Sequence, residues 1–385
     1  MQTYRYLVLT IQEICEEMMR NMRQVSSIVV IAGLLLMSFG NAGYASVLTK
    51  EDFNLYGYVD ASYTHNFNNP NSGRNANRIF DVDANSFRPH MAQLVFEKEG
   101  KSDGTTVDRA GFRIKLNFGE DAKLTGGSGA DDVDYQEAYA QYIAPIGNGL
   151  DIRIGRMNTL IGYEVIESPL NPNFSRSWLF GLGEPFTTTG LRASYEFNDT
   201  VALAVGVINA WNGATSDTNR SKSIEALLGL TPLDWLSVSL FGFWGPEGAR
   251  GAKNTDLVQV GGIVTAQATD QTSFVLEGYY AHQDNAVMAI RDAQWHGIAG
   301  YVIHDFNDQW GVRGRMEWFK DADGFLTGTD QKLWEGTATL QYKLTPSLIT
   351  RLEFRYDKSN HNTFQYGQRR ANNQETLATE VIFLF

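Results

Sequence analysis

Apolar and polar residues alternate along most of the chain after residue 52, the pattern of β-strands with two different faces. In residues 112–118 every second residue is apolar, and those between are Arg113, Lys115 and Asn117. No helical stripe of comparable length occurs. The pattern predicts sixteen strands, at 53–65, 87–99, 109–118, 133–144, 149–158, 187–197, 200–211, 223–231, 234–245, 256–268, 271–283, 293–305, 308–320, 331–344, 347–358 and 375–385.

The connections between these strands alternate in length from the fourth strand onward. Short ones lie at 145–148, 198–199, 231–234, 269–270, around Asn307 and at 345–346. Long ones lie at 159–186, 212–222, 246–255, 284–292, 321–330 and 359–374. Short turns on one rim and long loops on the other are typical of outer-membrane barrels. Fourteen or eighteen strands stay open as alternatives, because the pattern in 65–110 is weaker.

The two faces of the strands differ in a way that favours a membrane. The predicted outside faces are aliphatic and aromatic, and the inside faces carry Arg, Glu, Gln, Asn, Ser and Thr. So many charges are costly to pack in a dry core, whereas an apolar exterior around a polar lumen suits a bilayer. Aromatic residues stand at strand ends, as an interfacial girdle requires. We therefore predict an all-β, transmembrane, antiparallel up-and-down β-barrel of about sixteen strands.

The amino-acid composition excludes several other classes of protein. The chain has 385 residues, one of them cysteine, so a disulfide framework or a cysteine zinc site is excluded. Acidic residues outnumber basic ones by 44 to 32, the reverse of a nucleic-acid-binding domain. No apolar run in the body of the chain reaches the ~18 residues of a spanning helix. The net charge of −12 favours cations, although bulk charge is a poor guide to the charge at a constriction.

The N-terminal region contains a pattern typical of an export signal. Residues 22–45 combine a basic start, an apolar core from Ile28 to Met37 and a small-residue site ending at Ala45. They predict a secretory signal cleaved after Ala45, with Ala42 as the lesser site. Residues 1–21 are acidic for such a signal and suggest an over-extended start, with Met22 as the initiator. Residues 46–385 would then be a single barrel domain in the outer membrane of a Gram-negative bacterium.

The last strand has a distinctive end. Alternating hydrophobic residues lead to Phe385. This resembles the end of bacterial outer-membrane proteins, and the resemblance implies that Phe385 serves recognition by the barrel assembly machinery.

A more specific resemblance lies in residues 150–197. This stretch contains Gly162-Tyr-Glu164, Ser175-Arg-Ser177, Pro185-Phe186 and a Gly-Leu-Arg strand that begins at Gly190. It resembles the OmpL-like β-barrel porin family, and the similarity extends with weaker motifs over most of 50–385. The resemblance implies a porin-like channel. Arg156 stands where the family often has lysine, which keeps the charge.

The longest connection, 159–186, is predicted to fold into the lumen and narrow it, as the third loop does in sixteen-stranded porins. Charges at a narrow point set the selectivity of a pore. The candidates on the loop are Glu164, Glu167, Arg176 and Glu184, and those on the wall are Arg113, Lys115, Arg192, Arg313, Arg315, Arg351 and Arg355. Acid on the loop opposite a basic wall would produce a transverse field across the pore. The alternative for each residue is a structural pair with a neighbouring charge, and Glu164 could instead cap a turn.

No metal or cofactor site is predicted. Asp321-Ala-Asp-Gly324 lacks the later ligands of a calcium loop and is interpreted as a turn. Asp131, Asp132 and Asp134 form an acidic patch that suits either a solvated loop or divalent cations bridging lipopolysaccharide. The six histidines show no metal-ligand spacing.

These patterns predict an outer-membrane porin, a water-filled channel for passive diffusion of ions and small hydrophilic solutes. The expected partners are outer-membrane lipid, lipopolysaccharide and the assembly machinery, and a homotrimer is conceivable. The alternatives are a substrate-specific, gated or plugged structural barrel, and an outer-membrane enzyme. An enzyme would need a nucleophile beside a histidine, and no serine motif accompanies His282 or His296 near the predicted outer rim.

Overall fold

The computed structural model describes residues 53–125, 132–212, 216–217, 219–248, 251–252, 254–287 and 291–385. The export signal predicted at 22–45 and the segment 1–21 lie outside these residues. The acidic patch at Asp131, Asp132 and Asp134 lies at the edge of the gap 126–131.

Sixteen antiparallel strands close into one barrel, as predicted. They are β1 Asn54–Asn66, β2 Ser86–Lys98, β3 Ala110–Phe118, β4 Val133–Ala144, β5 Leu150–Asn158, β6 Thr187–Asn198, β7 Val201–Ile208, β8 Ser223–Leu233, β9 Leu236–Pro246, β10 Asp256–Thr269, β11 Thr272–Val287, β12 Arg291–Asp305, β13 Trp310–Asp321, β14 Gln331–Thr345, β15 Leu348–Ser359 and β18 Asn373–Leu384. Two further strands, β16 Phe364–Tyr366 and β17 Arg369–Ala371, form a separate hairpin in the loop after β15.

Each barrel strand pairs with its neighbours in chain order, and β18 closes the ring between β15 and β1. The closing register runs from Tyr58 opposite Leu384 to Asn66 opposite Thr376. Phe385 extends this seam, because its backbone exchanges hydrogen bonds of 2.9 and 3.1 Å with Gly57. Closure matters because an unpaired strand edge would leave backbone groups without partners in lipid.

One predicted loop is wrong. The segment 284–292 was expected to be a long connection, but β11 extends to Val287 and β12 begins at Arg291. In the structure Asn285 takes a left-handed conformation (φ 48°), and a register shift between Gln283 and Val287 lets pairing continue past it.

The outer face is apolar, as predicted. Side chains near the middle of the strands, such as Ile154, Phe354 and Ile298, are about half exposed on the outside of the barrel. The described residues include two short helices, α1 Ala122–Thr125 and α2 Trp178–Gly183. No helix in this part of the chain is long and apolar enough to cross a membrane.

The inner face is only partly polar, so the predicted pattern needs correction. Charged and amide side chains line the inside of β1–β5, β13–β15 and β18. On β9–β12, however, the buried inward residues include Phe241, Phe243, Leu257, Val275 and Trp295. These strands need apolar inner faces because an apolar part of the third loop packs against them.

Ile298→Arg tests the assignment of the outer face. Ile298 lies at the middle of β12, and an arginine at that depth should destabilise the folded barrel by about 2–4 kcal/mol. Urea unfolding in lipid vesicles would measure the difference. The matched control is Phe306→Arg in the turn after β12, where a cost below about 1 kcal/mol is expected. Equal costs at the two positions would contradict the assignment.

Candidate functional site

The connection between β5 and β6, residues 159–186, lies inside the barrel, as predicted for the third loop. Its Trp178 and Leu179 are at most 1% exposed and share one apolar cluster with Tyr279, Trp295 and Phe319 of the inner wall. A 3-10 turn at Ser168–Leu170 and helix α2 give the loop local structure. A loop this enclosed must find hydrogen-bond partners for its backbone within the barrel.

Arg176 shapes the loop from within. Its guanidinium donates to the carbonyl oxygens of Phe174, Ile166 and Val165 at 2.5, 2.9 and 3.1 Å. The side chain is only 5% exposed. Arg176 therefore braces two passes of the loop against each other.

Glu164 and Arg315 join the loop to the wall. Glu164 accepts the backbone N–H of Ser177 and the Nη1 of Arg315, both at 2.7 Å. Arg315 also binds Glu335 at 2.6 Å and the carbonyl oxygen of Ser175 at 2.6 Å. Both members of the pair have fully buried side chains, so each charge is neutralised by protein groups alone.

Wall carboxylates also accept hydrogen bonds from the loop backbone. Glu317 accepts the N–H groups of residues 178 and 179, in the first turn of α2, at 2.7 and 2.6 Å. Glu353 accepts those of residues 174 and 175 at 2.7 and 2.9 Å. Such charge-assisted hydrogen bonds are stronger than neutral ones. Four orphan donors of an enclosed loop are satisfied in this way.

Two arginines of the wall donate hydrogen bonds to carbonyl oxygens of the loop. Arg355 donates to the carbonyl oxygen of Arg176 at 2.6 Å, and Arg351 donates to that of Asn171 at 2.8 Å. Arg351 also pairs with Glu380 at 3.1 Å. Both arginines are almost completely buried.

The remaining predicted charges, apart from Glu184, are also paired. Lys115 binds Glu167 of the loop at 2.5 Å. Burial favours the neutral form of Glu167, but the ammonium of Lys115 holds the pKa of that carboxyl below its ordinary value. The other predicted wall residues pair within 2.5–2.6 Å as Arg113 with Glu97, Arg192 with Glu225 and Arg313 with Asp305.

The sequence predicted acidic loop residues that face a basic wall across water. The structure does not contain this arrangement. Glu164 and Glu167 touch Arg315 and Lys115 directly, so these charges compensate one another. The charges attach the loop because the loop packs on the wall without an intervening gap at these points.

A second segment fills the barrel, which the sequence did not predict. The β1–β2 connection, residues 67–85, places Arg78 2.6 Å from Asp357 of the wall. Its Phe80 packs against Phe180 and Phe186 of the third loop, with ring centroids 6.0 and 5.8 Å apart. The two loops therefore support each other inside the lumen.

Together the loops and the wall side chains fill much of the barrel interior. Every barrel strand contributes an inward residue that is at most 4% exposed, namely Asp60, Gln93, Asn117, Gln136, Arg156, Thr188, Ile208, Glu225, Phe243, Gln259, Glu277, Ala299, Glu317, Glu335, Arg355 and Thr376. These side chains are covered by the inserted loops or by their neighbours on the wall. The two inserted loops and these wall residues together are called the septum.

Open space remains between this septum and the rim that bears the short turns. One cavity of about 780 Å³ is lined by Tyr163, Arg313 and Lys343, among others. A second, of about 450 Å³, lies against β5–β8 and is lined by Leu160, Arg192 and Ala204, among others.

Glu184 differs from the other loop charges because it has no cationic partner. It is 4% exposed, and neither carboxylate oxygen accepts a hydrogen bond. Burial raises the pKa of Glu184 well above its ordinary value, and the adjacent Glu277 adds to this effect. Gly162 accounts for part of the geometry, because a Cβ there would stand 1.8 Å from Glu184 Oε2. The Gly-x-Glu motif thus places Glu164 beside Arg315 and leaves room for Glu184.

The structure also assembles a group that sequence spacing did not reveal. Ligand atoms of His282, Asp284 and Asp292 lie within 4.8 Å of one another on β11 and β12. His282 Nε2 is 2.9 Å from Asp284 Oδ1. His282 and Asp284 are two apart in sequence and so share a strand face, but only the extended β11–β12 pairing brings Asp292 to them.

The chain belongs to the family described as "Putative beta-barrel porin-2, OmpL-like", which matches residues 52–385. It is therefore a porin-type barrel of the outer membrane, as the sequence motifs predicted. No curated protein matches the sequence.

Solved structures with the same fold are also porins and outer-membrane channels. An anion-selective porin from Comamonas acidovorans aligns with a TM-score of 0.60 at 12% identity, over 86% of this chain and 99% of that one. The channel DcaP of Acinetobacter baumannii gives 0.58 at 14% identity, over 89% and 100%. OprB of Pseudomonas putida gives 0.61 at 10% identity, over 87% and 94%. At these identities the likeness establishes the barrel fold.

Arg315→Met tests the attachment of the loop. The substitution leaves Glu164 buried without a counter-charge and leaves Glu335 only Arg355 at 3.6 Å, so we expect a loss of about 3–5 kcal/mol in the free energy of unfolding. The measurement is urea unfolding of the barrel in detergent micelles, followed by tryptophan fluorescence.

The control is Arg313→Met on the same strand. Its partner Asp305 is 45% exposed, so the expected loss is about 0–1 kcal/mol. A small effect at Arg315 would mean that the loop does not depend on this pair.

Proposed function

We propose that this protein is an outer-membrane porin that passes ions and small hydrophilic solutes by passive diffusion. The observation that carries the proposal is a long loop, attached by buried ion pairs, folded inside a sixteen-stranded barrel whose outer face is apolar. Porins combine such an exterior with a polar interior narrowed by loops. The family and the fold relatives support a channel in preference to an enzyme.

The passage would run along the wall of β6–β10. The charged contacts of the loop are made to β3, to β13–β15 and to β18, whereas β7 and β8 present small inward residues such as Ala202, Ala204 and Gly229. On β10, Gln259 contributes a neutral hydrogen bond of 3.1 Å to the carbonyl oxygen of Gly183. The loop is therefore held most weakly on this side, directly above the 450 Å³ cavity.

The septum favours a gated form of this function, which is the second candidate. Conduction would require residues near 159–162 and 181–186 to move away from the wall. Glu164, Glu167, Arg176, Lys115, Arg315, Arg351 and Arg355 would then hold the rest of the loop in place. Arg192 and Glu184 would lie along the route, because Arg192 lines the 450 Å³ cavity and Glu184 lies in the weakly held part of the loop. Arg313 lines the 780 Å³ cavity, and Arg113 on β3 lies away from the route.

We propose the export route, the assembly signal, the lipid surroundings and the oligomeric state of the channel on the same grounds. Residues 22–45 would direct export, and Phe385 at the β1–β18 seam would be the signal read by the barrel assembly machinery. Lipopolysaccharide would surround the rim with the long loops. A homotrimer is a reasonable assembly, since OmpT of Vibrio cholerae, a fold relative with a TM-score of 0.58, is described in a trimer form.

Ala204→Trp tests both the channel and its route. The folded barrel should give discrete conductance steps in a planar bilayer. An indole at Ala204 would fill the cavity below the weakly held part of the loop, so we expect the single-channel conductance to fall at least severalfold.

Ala338→Trp provides the matched control, because Ala338 lies on the lipid-facing surface of β14 and should leave conductance unchanged. Equal conductance in all three proteins would place the passage elsewhere. Absence of conductance from a correctly folded barrel would argue for the plugged structural alternative.

A further inference from the structure

Three lysines lie together on the lipid-facing side of the barrel, at the rim that bears the long loops. Lys320 of β13 is directly opposite Lys332 of β14. Lys358 of β15 is opposite Trp334, diagonally next to Lys332. The residues before and after each lysine are buried in the interior, so the lysines themselves point outward. These three side chains are called the lysine row.

The charges of the lysine row are only partly compensated. Residues directly opposite in an antiparallel pair have Cβ atoms about 4.5–5.5 Å apart, and like charges there destabilise the sheet. Lys320 Nζ lies 2.5 Å from Asp330 Oδ1, a carboxylate that is 64% exposed. Lys332 and Lys358 make no ion pair with any residue that the structure describes, although Glu375 of β18 lies diagonally from Lys358. The row therefore favours an anionic partner, in a chain whose net charge is −12.

Aromatic residues place the lysine row at the level of lipid headgroups. Trp318 and Trp334 face each other on β13 and β14, two residues nearer the middle of the strands than Lys320 and Lys332. At the opposite end of the same two strands Trp310 stacks on Tyr342, with ring centroids 4.3 Å apart. Such girdles mark both edges of the apolar band of an outer-membrane barrel. Lysine side chains just beyond a girdle extend into the headgroup layer.

An apolar groove lies on the outer face of the same strands, nearer the middle of the membrane. It has a volume of about 750 Å³ and is lined by Met316, Gly336 and Phe354, among others. Gly336 is opposite Met316 of β13 and Tyr356 of β15. It follows Lys332 by four residues, or about 13 Å along the strand. A Cβ at Gly336 would meet no atom within 4 Å, so the groove is open there.

We propose that the lysine row and this groove form a binding site for a phosphorylated lipid of the outer leaflet, of the lipid A class. The ammonium groups bind the lipid phosphates, and the groove holds an acyl chain below them. Lysine binds phosphate as a point charge, and basic residues at a membrane surface attract anionic lipid. A phosphate between Lys320 and Lys332 also compensates the two charges that face each other. A soluble anion would use the lysines but not the groove, so the two features together favour a lipid.

Lys332→Gln with Lys358→Gln tests the headgroup contact. The full barrel, folded in a non-ionic detergent, is titrated with diphosphorylated lipid A, and native mass spectrometry measures the bound fraction. We expect the double variant to bind about tenfold more weakly than the wild type, because two of three attracting charges are lost. The matched control is Lys101→Gln with Lys123→Gln, which removes two exposed lysines from the connections before and after β3 and should bind as the wild type does.

Two results would overturn the headgroup contact. One is equal affinity of the wild type and the Lys332/Lys358 double variant for lipid A. The other is equal affinity of the wild type for lipid A and for its dephosphorylated form. Misfolding is not expected, because the two lysines lie outside the packed interior and their removal relieves like-charge repulsion. Urea unfolding of each variant checks this.

Gly336→Leu tests the groove in the same titration. The side chain fits the open space and occupies it, so we expect lipid A to bind about threefold more weakly. If an excess of inorganic phosphate displaces the lipid completely, the lysines bind free phosphate and the lipid site is wrong. If Gly336→Leu instead lowers the oligomeric state in light scattering and leaves lipid affinity unchanged, a second copy of the chain covers the groove and the inference fails. None of these readouts requires conduction, so the site and the channel are tested independently.

Discussion

Arg315 is enclosed between the third loop and the wall, and its charge has no access to water. It is neutralised by Glu164 from the loop and Glu335 from the next strand, and it also donates to the carbonyl oxygen of Ser175. Removing Arg315 would leave the carboxylate of Glu164 buried without a counter-charge. The contact therefore fixes the position of the loop, and the positions of α2, the septum and the cavities depend on it. Glu317 and Glu353 also attach the loop to the wall. They accept backbone N–H groups that would otherwise have no hydrogen-bond partner inside the barrel.

The inner wall is divided into two sectors. One sector, from β13 to β18 and on to β5, carries the charges that hold the two inserted loops. The other, from β7 to β12, carries small and apolar side chains that pack against Trp178 and Leu179 or line open space. An apolar contact of this kind is non-directional, so a loop segment can shift against it at lower cost than against paired charges. The asymmetry gives a physical reason for movement on one side of the barrel and not on the other.

Much of this architecture follows from the sequence because the governing interactions are local. The two-residue period of 112–118 and the alternating connection lengths are enough to predict sixteen strands and their outward faces. The roles of Glu164 and Arg315 were not predictable in the same way, because 151 residues separate them and only the closed barrel brings them together. Arg78 was missed for the same reason, since its partner Asp357 lies 279 residues away. The long connection predicted at 284–292 was wrong because a bulge lets β11 pair as far as Val287.

Glu184 departs from the rule that the rest of the interior obeys. The other carboxylates of the septum lie against an arginine, a lysine or a backbone donor, and Glu277 accepts the N–H of Tyr163. Glu184 has only the carboxyl of Glu277 beside it, and burial together with this neighbour raises the pKa of Glu184 well above its ordinary value, which favours the neutral form. The departure occurs in the part of the loop that no ion pair among the described residues holds to the wall. A neutral carboxyl costs less to shift along an apolar wall than a paired charge does, so the chemistry of Glu184 agrees with the weaker attachment of this segment.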